Sequence, residues 1–182
     1  LIRAGMFPPV GDLSVYSRTS IESAVAGEAR FHDVVVNEYG IYSMLDTNRC
    51  KVFTYDTEGN LLYIIGNSSQ QKGTFTQPTA VEFLGDQILV LEGRYSTVTF
   101  FRPTDYGDAI NKAIIAYRTG EYELSEQMWT KVLKMNSNMT IAYSGVGKSK
   151  MRAGDYKGAM ADFKIAKNPD FYSNALDAYM NE

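Results

Sequence analysis

The sequence predicts a β + α chain in which repeating antiparallel strands are followed by paired helices. Three observations carry that expectation. Up to about residue 104, short β-branched and aromatic runs alternate at period two between turns rich in Gly, Asn, Asp and Pro. That pattern recurs after about 45 to 48 residues. Beyond residue 104 the apolar period lengthens to that of a helix, and five positions recur at a spacing of 34.

Taken in order, residues 13–16 read as a strand, and residues 19–29 fit either a loop or a short helix. Four strands follow, at 33–36, 41–45, 50–55 and 61–65, with turns at 37–40, 46–48 and 56–60 where Gly, Asn and Asp tolerate positive φ. A second set occupies 79–83, 87–91 and 97–101, around the turn residues Gly85 and Gly93. Aligning Gly40 with Gly85, and Phe53 with Phe100 or Phe101, gives the repeat length. It is the length of one four-stranded propeller blade. The first domain is therefore drawn as 1–104: residues 1–29 as part of a preceding blade or a linker, then blades at 30–66 and 73–104. Two blades cannot close a ring, which takes at least about four, so the propeller is incomplete. Its N-terminal sheet edge is open to self-association.

Pro103 is expected to end the last strand, and Asp105 or Asp108 to cap the helix after it. The 34-residue spacing joins Gly120 to Gly154, Tyr122 to Tyr156, Ser125 to Ala159, Trp129 to Phe163 and Val132 to Ala166. It matches the tetratricopeptide (TPR) pattern of Gly, Tyr, small, aromatic and small residues. Ala113 and Gly147 supply the small position on the first helix of each pair, where helices approach closely. The second domain is drawn as 105–182, with repeats at 106–139 and 140–169 and a capping helix at 170–182 carrying Phe171, Tyr172, Ala175, Leu176 and Tyr179.

Composition sets limits on function. A net charge of −3 gives no basic footprint for nucleic acid. The strand half holds 8 Lys/Arg against 11 Asp/Glu and the helical half 10 against 10, so the helical half is the richer in charge. The single cysteine, Cys50, allows no internal disulfide and no thiolate cluster. No apolar run reaches the roughly 18 residues of a membrane helix. The sequence starts at Leu1-Ile2-Arg3 with neither an initiator Met nor a leader pattern, and is expected to be a piece of something longer.

Gly73-Thr74-Phe75 with Gln77-Pro78 resembles the Gly-x-Phe-x-x-Pro start of an NHL-type blade. Residues 49–53 and 97–100 resemble its Arg-Ile-x-Val-Phe strand. Where that family has an Asp, Glu92 stands in the second blade and Met44 in the first, with Asp46 two positions away. The order of blade, blade and TPR pair, with the stretches 55–63 and 172–175, resembles bacterial (Firmicutes) membrane-associated proteins with an NHL-repeat β-propeller and C-terminal TPR repeats. That resemblance covers about residues 30–182. It implies further blades upstream, a membrane segment downstream and an extracytoplasmic location. It leaves function poorly defined, with a link to sugar uptake as one reading.

Candidate chemistry is sparse. Gly145-Val146-Gly147-Lys148-Ser149 has part of a phosphate-loop pattern, but Ala142 stands where its first Gly belongs and the segment lies inside a helix. His32 is the only histidine, and its neighbour Asp33 points to the other side of a strand. Some propellers of this kind are lactonases with a channel metal, but no His/Glu/Asp cluster stands out. No catalytic residue, metal or cofactor is therefore assigned. The inner groove of the helical pairs is the candidate site. It is expected to draw Ile114, Tyr117, Arg118, Lys148, Met151 and Arg152, with Ile110, Ile141 and Ser144, from the first helix of each pair. Lys148 and Arg152 share a helix face and with Arg118 could clamp a peptide carboxylate. The plain alternative is a solvated charged face or a spacer. The expected function is a non-catalytic protein-interaction or scaffold module. A glycan-sensing propeller using Tyr39, Tyr42 and Tyr95 is the rival, and a lactonase-like enzyme ranks third.

Overall fold

A computed structural model of the chain describes residues 29–69 and 71–181. The strand expected at 13–16, and all but the last residue of the 19–29 stretch, lie outside them. The described residues are of mixed type and form two antiparallel sheets followed by five helices. Its contacts separate into two compact units, one ending at Pro103 and the other beginning at Thr104.

The first sheet is a meander of β1 (Phe31–Val36), β2 (Tyr42–Asp46), β3 (Lys51–Tyr55) and β4 (Leu61–Ile65). Turn chemistry sets its register. Asn37 Oδ1 accepts from the backbone N–H of Tyr39 and Ile41, at 3.0 and 2.9 Å. Asp56 Oδ1 accepts from Glu58 and Asn60, both at 2.9 Å. These side chains mimic the backbone of a turn. The second sheet holds β5 (Pro78–Leu84), β6 (Gln87–Glu92) and β7 (Thr97–Phe101). Gly85, at φ 61°, makes the tight turn between β5 and β6. Neither sheet closes into a barrel or a propeller ring among the described residues.

The sheets share one core. Leu45, Cys50 and Val52 of the first pack with Val81, Ile88 and Val90 of the second, around Phe75 from the connecting loop. Asp33 Oδ2 accepts from Val81 N–H at 2.8 Å and ties β1 to β5. Strand alternation makes this contact possible, because Leu45 and Val52 are paired partners facing one way, as are Val81 and Val90.

The register between the sheets corrects the alignment expected above. Asp46 pairs with Lys51 and Glu92 with Thr97, so the two acidic residues end equivalent strands. Cys50 and Ser96 have matching left-handed backbones, φ 53° and 52°. The shift is 46 residues. Asp46, rather than Met44, is therefore the counterpart of Glu92, and Phe53 matches Thr99. Both carboxylates do the same work. Asp46 accepts from the N–H groups of Arg30, Asn48 and Arg49, and Glu92 from those of Thr76, Gln77 and Arg94. Each fastens the start of its sheet's first strand to the turn after its second.

The second unit comprises α1 (Asp105–Thr119), α2 (Tyr122–Met135), α3 (Thr140–Arg152), α4 (Tyr156–Ile165) and α5 (Pro169–Met180). Each helix packs on the next in sequence, and α1 also touches α3. The N-cap of α1 is Thr104, whose hydroxyl accepts from Gly107 N–H at 3.2 Å, where Asp105 or Asp108 was expected. Both aspartates lie in the first turn instead, where their charge suits the helix dipole. Gly120 ends α1 in the left-handed conformation, φ 87°, and Gly154 takes φ 86° after α3. Asp155 and Asn168 cap α4 and α5 through their side chains.

Candidate functional site

The small residues of α3 decide how closely its neighbours come. A Cβ on Gly145 would run into the Trp129 indole of α2. A Cβ on Gly147 would lie 2.7 Å from the Phe163 ring of α4. One helix thus receives an aromatic side chain from each side, and both aromatics are buried. Between α1 and α2 the buried Ser125 hydroxyl donates to the Ala113 carbonyl at 2.8 Å, which closes that pair as well. The Gly-Val-Gly-Lys-Ser segment is therefore a packing surface, and Ser149 Oγ donates to its own helix at Gly145 O.

The six expected groove residues lie at matching places on α1 and α3: Ile114 with Lys148, Tyr117 with Met151, and Arg118 with Arg152, each 34 residues apart. Their surroundings differ. Ile114 and Tyr117 are half-buried and Arg118 is exposed. Lys148 lies with Nζ 4.5 Å from the centre of the Phe171 ring, a cation–π contact with α5. Phe171 in turn stacks on Phe163, with centroids 5.4 Å apart. Met151 packs on the cluster of Ala159, Phe163 and Ala175. Arg152 is exposed, and the Tyr117 hydroxyl, hydrogen-bonded to its guanidinium and helped by Tyr122, holds its pKa above the ordinary arginine value. The Tyr117 and Tyr122 rings are 5.6 Å apart.

The three cations thus meet different surroundings. Lys148 is engaged with α5, whereas Arg118 and Arg152 present exposed guanidinium groups at equivalent positions, Arg152 beside the Tyr117 hydroxyl. Sequence placed Tyr122 in the 34-residue repeat and Phe171 on the capping helix, but not as partners of Arg152 and Lys148. The proximity of Tyr122 was readable from Gly120, because a helix reversal there returns Tyr122 toward Tyr117. That of Phe171 depends on how α5 packs, which no local spacing encodes. Ser144, expected in the same groove, accepts from Asn168 Nδ2 at 3.1 Å and joins α3 to the start of α5.

On the sheets, the three tyrosines singled out do not gather. Tyr42 stacks on Tyr55 at 5.3 Å, Tyr39 is half-buried in the β1–β2 turn, and Tyr95 is exposed in the β6–β7 turn. His32 is exposed on β1. Among the described residues, no group of three or more His, Cys, Asp or Glu stands close enough to hold a metal ion. No described helix is long and apolar enough to cross a membrane. No protein-family model matches the chain, and a search of curated proteins finds no match.

Proposed function

We propose that the chain is a non-catalytic interaction module, in which TPR-type helix pairs hold a peptide or protein partner and the sheets are diverged NHL-type propeller blades. In this reading the whole protein is membrane-attached and extracytoplasmic. The observation that carries it is the shared 34-residue register of α1 and α3, which gives the first helix of each pair an exposed arginine at the same place, Arg118 and Arg152, with the Tyr117 hydroxyl beside Arg152. Exposed guanidinium groups, one of them with a phenol beside it, suit a carboxylate, because charge-assisted and bidentate hydrogen bonds are the strong ones. Lys148 serves the α3–α5 contact through Phe171 and is not the binding charge. The four-stranded meander, and the two carboxylates fastening equivalent turns 46 residues apart, support the reading of the sheets as consecutive blades.

Selection of peptides with free C-termini against the intact chain tests this, followed by titration of each selected peptide in its free-acid and amidated forms. The expected result is a carboxylate-dependent binder weakened about tenfold or more by Arg118→Ala and by Arg152→Ala. Equal binding of the amidated form, or no change in both variants, overturns it.

A further inference from the structure

We propose that the three-stranded sheet carries a binding site for a neutral saccharide, in the cavity between β7 and the loop that leads into β5. This site is separate from the helical groove and does not depend on how that groove is read.

The cavity has a volume of about 290 Å³. That is the small end of the roughly 300–1,000 Å³ range of ligand pockets, suited to a sugar unit rather than a nucleotide or a folded peptide. Thr97 and Thr99 line it from β7, two residues apart and so on one face of the strand. Thr74 and Thr76 line it from the loop. Each hydroxyl can donate one hydrogen bond and accept others, which matches a polyol, whose own hydroxyls do both. Thr74 is already oriented, since its hydroxyl donates to Gln71 O at 2.6 Å and leaves its lone pairs as acceptors.

Charge narrows the ligand class. No lysine or arginine lines the cavity among the described residues, and the nearby Arg94 guanidinium is engaged over the Tyr95 ring. The one charged group is Glu92. It is buried, and its two oxygens accept from Thr76 N–H and Gln77 N–H at 2.7 Å and from Arg94 N–H at 3.3 Å. Those three bonds fix the carboxylate and leave one of its about four lone-pair sites for a ligand hydroxyl. The carboxylate's own negative charge disfavours a second anion beside it. Tyr95 supplies the wall, 53% exposed, with the Arg94 guanidinium 5.6 Å from its ring centre. An aromatic face is electron-rich, and the C–H-rich face of a pyranose is its complement. Hydroxyl-rich walls, a fixed buried carboxylate and one exposed aromatic ring together describe a site for a neutral sugar.

The experiment is an NMR titration of the intact chain with a panel of neutral hexoses and hexose disaccharides at millimolar concentration, with glucuronate and inorganic phosphate as charged probes. The expected result is saturable binding of at least one neutral sugar, with shifts clustered between residues 69 and 99. Tyr95→Ala and Thr99→Val should each weaken it about tenfold or more. Thr99→Val keeps the side-chain shape, so its effect reads the hydroxyl even where Tyr95→Ala disturbs the turn. No neutral sugar causing shifts in that region, equal binding by Thr99→Val and wild type, or stronger binding of the charged probes would each overturn the proposal.

Discussion

Single residues with one contact each set the packing of the helical unit. At Gly147 two effects oppose one another. Replacing a helical Gly by Ala raises helix propensity by about 1 kcal/mol. Overpacking a filled interface costs about 1–3 kcal/mol. A new Cβ would lie 2.7 Å from Phe163, which is fully buried and has Phe171 stacked on it, so the ring has nowhere to go. The second effect wins, and Gly147→Ala should lower the urea midpoint; an increase would mean the glycine has no packing role. The same argument holds for Gly145 against Trp129. Asp46 is the corresponding residue in the sheets. It is fully buried, accepts from three backbone N–H groups and pairs with Arg49 at 3.1 Å. Asp46→Ala strands those donors and a buried guanidinium, so it should cost about 3 kcal/mol or more in a denaturant titration. Sequence reading put this carboxylate two positions out of register, because aligning Phe53 with Phe101 shifts the sheets by 48 residues rather than 46. The β1–β2 turn is longer than the tight β5–β6 turn, so glycine-to-glycine alignment also slips against the strands, whose pairing carries the true register.

Among the elements, α3 and α4 are joined by an ion pair as well as by packing. Lys150 Nζ lies 2.8 Å from Asp162 Oδ2. Burial works against the ammonium, but the Asp162 carboxylate, with Glu126 and Asp155, outweighs it and holds the Lys150 pKa above the ordinary lysine value. A group whose folded pKa is raised gives stability that is fully present below its unfolded pKa, about 10.4 for lysine, and lost as pH rises through the folded one. Wild type should therefore exceed Lys150→Met in urea midpoint at neutral pH, and the gap should close above about pH 10.4. A gap that stays constant to higher pH would place the effect in packing alone. Between α1 and α2, Ser125→Ala should cost about 1 kcal/mol through the lost bond to Ala113 O. The elements themselves were legible. Period two located all seven strands of the described residues within about two residues, and period 3.6 with a 34-residue spacing located their helices. The helix caps were less so: Asp105, Asp108 and Thr104 are all good cap residues, and only backbone geometry chooses Thr104. The groove was legible as positions on α1 and α3 and illegible as surroundings, since Lys148 meets a ring 23 residues further along the chain.

For the molecule as a whole, the 46-residue register makes a statement about surfaces. Leu45 and Val52 of the first sheet are fully buried against the second. Their counterparts one shift on, Leu91 and Val98, pair with each other across β6 and β7 in the same way, yet are 42% and 47% exposed. Phe100 and Leu84 lie on that same face and are also exposed. The inner face of the second sheet is thus satisfied by the first, while its outer face keeps the apolar character of a surface that is covered in the equivalent sheet. Such a contiguous apolar face is a marker of association, and β7, at the edge of its sheet among the described residues, adds unpaired backbone groups beside it. The chain should therefore self-associate as its concentration rises, seen as a growing mass in light scattering. The triple variant Leu91→Thr, Val98→Thr, Phe100→Thr places β-branched side chains suited to a strand and removes most of the apolar area. It should stay monomeric over the same range with an unchanged circular dichroism spectrum. Wild type that remains monomeric throughout, or a variant that associates equally, would show that this face is not what drives assembly. Adding Lys at Thr97 and Thr99 to wild type separates the two routes: charges on the strand edge block edge pairing but leave the outer face intact, so association that survives them comes from the face.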